Sequence, residues 1–328
     1  MEGYLKQCLD SLICESLPEM EIVVVNDGSK DKTLSIAKEY EDKYPKSIIV
    51  IDKKNGNYGS CINTALKVVT GKYIKVLDAD DSFENENIDD FIDCLKQTDA
   101  DLVISDYVIV NEQGTITREC KFSNIAHKNI PLKDSYEIVT SPDFAMHAVT
   151  YHRNVFKDLN YVQSEGISYT DLEWMFLPMT KVNDVTIFNK VIYRYLVGRA
   201  GQTVDVKVSA KAVDQTMTVL EKLLHIYRDN HNKISDLHAT YLQHRLRFKT
   251  PSVYRICLIK SSGSTMYDRL KFFDKCLEEC YPELYDLMGR EDIKGFPFKY
   301  VKYWRKRYGK KRGLYKLTII QFLFNIIR

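Results

Sequence analysis

No two cysteines lie at C-x2-C spacing, although the chain holds eight, at positions 8, 14, 61, 94, 120, 257, 276 and 280. That pattern excludes the zinc-ribbon and thioredoxin-like signatures and reads as reduced, separate thiols. The histidines other than His147 show no ligand spacing. No apolar run reaches the ~18 residues that a membrane span requires, and Met1-Glu2-Gly3-Tyr4-Leu5-Lys6 lacks the apolar core of a signal peptide. No G-x-G-x-x-G follows a strand-like run, which argues against a dinucleotide-dependent dehydrogenase. There is no internal repeat and no low-complexity segment. Acid is missing from Ile293 onward, whereas that stretch carries eleven Lys and Arg residues. The net charge of +2 therefore conceals an acidic front and a strongly basic tail, which points to an anionic surface or ligand.

What remains is ordinary for a globular protein: 328 residues, 45% hydrophobic and 28% charged, enough for one large domain or two average ones. Runs rich in Val and Ile at 21–25, 48–52, 73–77 and 101–110 predict strands. A helical pattern precedes them at 4–12, and others fall between them at 31–43, 58–69 and 84–97. Alternation of this kind predicts an α/β fold, Rossmann-like, with a mostly parallel sheet flanked by helices. An irregular middle follows, with one more strand-like run at 184–196. From about Ser209 the pattern is helical, and Val219, Leu220, Leu223, Leu224 and Tyr227 form an apolar stripe. The expected boundaries are an α/β domain over 1–205, a helical subdomain over 206–292, and a basic, aromatic and apolar tail over 293–328.

Two of the predicted strands end in acid. Glu21-Ile-Val-Val-Val25 runs into Asn26-Asp27-Gly28-Ser29, and Lys72-Tyr-Ile-Lys-Val-Leu77 runs into Asp78-Ala79-Asp80-Asp81. Carboxyl ends of strands in open α/β sheets are where ligands bind. Like charges crowded there are unfavourable unless a cation or a hydrogen-bonding ligand offsets them. Asn-Asp-Gly is also a plain turn signal, and Asp81 or Ser82 is placed to cap the next helix, as Ser29 or Asp31 is for the helix at 31–43. Asn55-Gly56-Asn57-Tyr58-Gly59, after a strand and before a helix, offers backbone amides to a diphosphate or nucleoside, or else makes a turn.

In order and spacing, these three motifs resemble the family 2 glycosyltransferases. So do Glu165-Gly-Ile-Ser-Tyr169-Thr170-Asp171-Leu-Glu-Trp174 and Tyr195-Leu-Val-Gly198-Arg199-Ala-Gly201-Gln202-Thr203. The likeness spans roughly residues 3–205 and implies the GT-A fold, a nucleotide-sugar donor, usually UDP-linked, a Mg²⁺ or Mn²⁺ cofactor, and transfer with inversion. On that resemblance Asp27 and Gly28 meet the nucleobase, and Asn55 and Gly56 the nucleoside or diphosphate. Asp78 serves the ribose or sugar, and Asp80, with Asp78, the metal. Arg199 and Gln202 clamp the donor phosphates, and Asp171 is the general base. Two departures are visible: Ser60-Cys61-Ile62-Asn63 stands where relatives have Ala-Arg-Asn, and Thr170 replaces the Glu of a Glu-Asp pair. Glu165 and Glu173 are rival carboxylates for the base, and His147 is either a contact to metal or sugar or a structural histidine.

The resemblance implies a glycan or lipid-linked acceptor, as in surface-polysaccharide synthesis. The expected location is the cytoplasm, with 299–328 meeting the inner face of the plasma membrane or else packing on the domain. No nucleic-acid partner is expected, because no recognised binding motif accompanies the basic tail. The chain opens inside an amphipathic helix, so a first, central strand is expected to precede Met1. The alternatives are a sugar-phosphate nucleotidylyltransferase and an inactive, truncated nucleotide-binding fragment.

Overall fold

The computed structural model describes residues 1–199, 213–260, 264–290 and 299–307. The chain divides into two compact units, Met1–Gln202 and Thr203–Arg328. In the first, the elements run α1 (Leu5–Asp10), β1 (Ile22–Asp27), α2 (Thr33–Lys43), β2 (Ile48–Lys53), α3 (Asn57–Leu66), β3 (Tyr73–Ile74), β4 (Ser82–Phe83) and α4 (Ile88–Gln97). They continue with β5 (Leu102–Val110), β6 (Ile116–Cys120), β7 (His127–Pro131), α5 (Tyr136–Val139), β8 (Val149–His152), α6 (Asp171–Trp174) and β9 (Asp184–Leu196).

The fold is α/β, with a mixed sheet. β1 pairs with β2 in parallel, in a register that sets Asn26 opposite Asp52 and Asp27 opposite Lys53. A second sheet has the order β3-β8-β5-β9-β4, with β6 added to β5 and β7 to β9. Within it β5 and β9 are parallel, and the other pairings are antiparallel. β5 lies at the centre: Leu102, Val103 and Ile104 are fully buried, which is why its sequence reads as a continuous apolar run rather than an alternation. α4 turns Ile88 and Phe91 inward, and Phe91 packs on Phe188 of β9 with ring centroids 5.1 Å apart.

The strand predicted over 73–77 forms a ladder only at Tyr73–Ile74; residues 75–78 are in no ladder. Lys75 anchors this segment from the side, donating to the carbonyls of His147 at 2.7 Å and Val149 at 3.4 Å. α4 starts at Ile88, six residues past Ser82, so neither Asp81 nor Ser82 is its cap. Ser82 opens β4 and pairs with Arg194 of β9, and Asp81 just before it is held by hydrogen bonds from Tyr193 and Leu196. Asp31 does bind the first turn of α2, accepting from the Thr33 N–H at 3.1 Å.

The second unit is helical: α7 (Val213–Asn230), α8 (Asp236–Arg255), α9 (Ser264–Cys280), α10 (Pro282–Arg290) and α11 (Tyr300–Arg307). The apolar stripe read on α7 is its buried face. α11 opens the basic tail and is packed, with Val301 and Trp304 buried. Its Arg305 pairs with Asp274 at 2.7 Å and lies 3.5 Å from the Tyr285 ring centroid. Among the described residues no helix is long and apolar enough to cross a membrane.

Candidate active site

Asp27 stands at the carboxyl end of β1, and its Oδ1 is an acceptor for the neighbouring loop. Lys53 Nζ donates at 2.5 Å and the Gly56 N–H at 2.9 Å. Asn55 Nδ2 donates to the Asp27 carbonyl at 2.9 Å. The two loops touch because residue 28 is glycine. Its φ is +69°, and a Cβ there would lie 3.0 Å from the Asn55 nitrogen. The expected nucleobase and diphosphate residues Asp27, Gly28, Asn55 and Gly56 therefore form one patch at the start of α3.

The second acidic end divides its carboxylates. Asp81 is buried and structural: Tyr193 Oη donates to Oδ2 at 2.6 Å and the Leu196 N–H to Oδ1 at 2.7 Å, fixing the turn to β9. Burial and the charge of Asp78 raise it to about 8. Asp78 is raised to about 7, by burial first and then by the charges of Asp80 and Asp171, while a hydrogen bond from Tyr58 opposes the shift. Asp80 accepts two hydrogen bonds from Arg199 on a single oxygen, Oδ2, at 3.0 Å from Nε and 2.8 Å from Nη2. The arginine expected on donor phosphates is thus held on a carboxylate. Both donors point at Asp80 because that group is the neighbouring negative charge.

Asp171 opens the one-turn helix α6 and belongs to the same electrostatic cluster, since its charge reaches Asp78, Tyr58 and Tyr195. It is delivered there by a docked loop. Asn63 of α3 donates to the Gln163 carbonyl at 2.9 Å and to Glu165 Oε1 at 2.8 Å, and accepts from the Gln163 N–H at 2.8 Å. Gln163 Nε2 donates to the Thr170 carbonyl and hydroxyl at 2.9 and 3.0 Å. Gly166 N–H donates to the Gly56 carbonyl at 2.8 Å. Contact is this close because residue 59 has no side chain: a Cβ there would sit 2.0 Å from the Ser164 carbonyl oxygen. The rival carboxylates are both engaged in this loop, Glu165 with Asn63 and buried Glu173 with the Ser164 N–H at 3.0 Å.

The sequence model "Glycosyl transferase family 2" matches residues 2–159. Residues 2–159 form a family 2 glycosyltransferase domain. It is similar to glycosyltransferase GlyA of Streptococcus pneumoniae, with 24% identity over 278 residues, covering 85% of this chain and 36% of that protein. It is also similar to the minor teichoic acid biosynthesis protein GgaB of Bacillus subtilis, with 32% identity over 145 residues, covering 43% of this chain and 16% of that protein. The chain thus spans about a third or less of the length of these curated relatives. Among solved structures it resembles S. aureus TarS 1-349 in complex with UDP-GlcNAc, at a TM-score of 0.65 and 19% identity, over 86% of this chain and 79% of that one. That likeness is one of fold, GT-A with a helical C-terminal region.

Several groups at the site were missed by sequence reasoning. Lys53 on Asp27 is legible once β1 and β2 are aligned, because the two residues are register partners. Asn63 and Gln163 carry no local signal; their pairing joins positions 100 residues apart. His147 packs as a neutral ring among aromatics, 4.1 Å from Tyr195 and 4.8 Å from Tyr193, and burial lowers it to about 3. The structure therefore supports its structural role. Gln202 lies outside the described residues.

Proposed function

We infer that this chain transfers a sugar, with inversion, from a UDP-linked donor to a hydroxyl of a glycan or lipid-linked acceptor in the synthesis of a cell-surface polymer. The observation that carries this reading is the convergence of Asp171 with Asp78 and Asp80, produced by the docking of 163–166 on α3. A donor whose uracil meets Asp27 and whose diphosphate meets the loop of Asn55 and Gly56 lays its sugar toward that cluster. Asp171 then takes the proton of the attacking acceptor hydroxyl, and positive charge that develops at the anomeric carbon is met by the surrounding carboxylates.

Oxygen donors crowded to the point of raising Asp78 suit a hard divalent cation, which takes one or two carboxylates and completes its shell with phosphate and water. Asp80, with Asp78 beside it, would hold Mg²⁺ or Mn²⁺, which would supply charge neutralisation for the departing diphosphate. Arg199, within hydrogen-bonding distance of Asp80, is placed to turn from that carboxylate to the phosphates. In this reading the protein works in the cytoplasm, and the basic residues of 308–328 meet the anionic inner membrane face where a lipid-linked acceptor is presented. Surface-polymer synthesis is supported by the likeness to GgaB, a minor teichoic acid biosynthesis protein.

The test is donor hydrolysis by the full chain across a panel of nucleotide sugars, with and without Mn²⁺. A single UDP-sugar hydrolysed only with metal supports the reading. Hydrolysis that needs no metal and survives Asp80→Ala removes the metal assignment, and inactivity against every donor, together with no UDP binding, removes the function.

A further inference from the structure

Outside the glycosyltransferase domain, the helical unit gathers three side chains that sequence spacing kept apart. Cys276 and Cys280 lie one turn apart on α9 and so share a face. Both are buried, with their sulfurs 4.0 Å apart. His225, exposed on α7, lays its ring across them, with Nδ1 3.3 Å from Cys280 Sγ and Nε2 3.8 Å from Cys276 Sγ. The three ligand atoms all lie within 4.8 Å of one another.

Taking one ring nitrogen with the two sulfurs, the three atoms, within 4.8 Å of one another, are a side-chain adjustment of about 1 Å from the spacing of a metal centre. Tetrahedral Zn²⁺, with Zn–S about 2.3 Å and Zn–N about 2.0–2.1 Å, sets its ligands roughly 3.5–3.8 Å apart. Two cysteine sulfurs and an imidazole also form the soft and borderline donor set that selects zinc over magnesium or calcium. The frame is braced: Arg269 of α9 pairs with Glu221 and Asp214 of α7, both at 2.5 Å, so the helices bearing the ligands are tied together beside the cluster. The outer shell fits as well. Arg228 Nη1 donates to Cys280 Sγ at 3.8 Å, and Arg228 is itself paired with Asp229 at 2.8 Å. The exposed side of His225 leaves the cluster open to water for a fourth ligand.

We propose that Cys276, Cys280 and His225 form a zinc site that ties α7 to α9. The site is distinct in chemistry from the carboxylate cluster of the first unit, whose oxygen donors suit Mg²⁺ or Mn²⁺.

The experiment uses the full chain, reduced with a phosphine and held in excess Mg²⁺ so that the carboxylates are occupied, and titrates it with Co²⁺ followed by Zn²⁺. The expected result is a near-ultraviolet thiolate-to-cobalt charge-transfer band saturating at about one equivalent and bleached by Zn²⁺, with a rise in melting temperature on Zn²⁺ addition. Cys276→Ser and Cys280→Ser each abolish the band. Exposed His225→Ala, which leaves the core untouched, weakens Co²⁺ binding at least about tenfold while the far-ultraviolet dichroism stays native. No band in the reduced wild-type chain overturns the proposal. So does a band that persists in folded Cys276→Ser protein or is indifferent to His225→Ala.

Discussion

Arg199 places two N–H donors on one oxygen of Asp80, at 3.0 and 2.8 Å, so a guanidinium occupies the position next to the carboxylate proposed above to hold a divalent cation. The pair is mostly covered, with side-chain exposures of 25% and 15%. In the proposed reaction, arginine and metal compete for the same acceptor until the donor's phosphates offer the arginine another.

That competition has a measurable consequence. Arg199→Ala should bind Mn²⁺ more tightly than wild type in the absence of nucleotide, by about fivefold if the pair contributes ~1 kcal/mol. It should also bind UDP in the presence of Mn²⁺ more weakly. Electron paramagnetic resonance of free Mn²⁺ reads the first and calorimetry the second. Unchanged Mn²⁺ affinity would mean that Asp80 is not a ligand.

Asp171→Asn keeps the size and the hydrogen bonding of the side chain but removes the basic electron pair. UDP affinity should stay within about twofold of wild type while transfer falls by roughly 10²–10⁴. Retained turnover would move the base elsewhere, although Glu165 and Glu173 are already engaged by Asn63 and Ser164.

Gly59→Ala tests the docked loop. The added methyl meets the Ser164 carbonyl at 2.0 Å, a backbone atom that cannot swing aside, so the loop carrying Asp171 must shift. Overpacking of this kind costs about 1–3 kcal/mol in urea unfolding. The larger effect should appear in kcat, because the displaced loop bears the proposed base, whereas the Asp27 patch meets that loop at the Gly56 carbonyl and is otherwise held by its own hydrogen bonds. Equal losses in kcat and UDP binding would show a general distortion instead.

Asp81→Asn tests the buried acid. Raised from 3.8 to about 8, wild-type Asp81 holds a proton in the folded state that the unfolded chain has already released. Its contribution to stability therefore falls as pH rises from about 4 to about 8 and is flat above that. The difference between variant and wild type cancels the other titrating groups. Asp81→Asn should gain on wild type steadily between pH 5 and 8 in urea unfolding; a difference that does not change with pH would mean an ordinary pKa. The Asn can still accept the Leu196 N–H, so the turn to β9 is kept.

Sequence alone determined most elements of the first unit's opening half and the acidic end of β1, whereas the strand expected over 73–77 closes at Ile74. The alternation of Val- and Ile-rich runs with helical stripes is a local property, set by backbone periodicity and by which face each element must bury. β1, β2, β5 and β9 fall within two residues of their expected bounds. The Asp27 patch and the Asp78–Asp81 cluster were legible because turn chemistry and charge crowding are written in consecutive residues. Only the tertiary structure decided which carboxylate does what. Asp81 differs from Asp80 because Tyr193 and the Leu196 amide, more than 110 residues away, take both of its oxygens. Asn63 meets Gln163 across 100 residues, and Cys276 and Cys280 meet His225 across about 50, with no spacing in the chain to announce either. Contacts of that separation depend on how whole elements pack, and packing is a property of the assembled core rather than of any window of sequence.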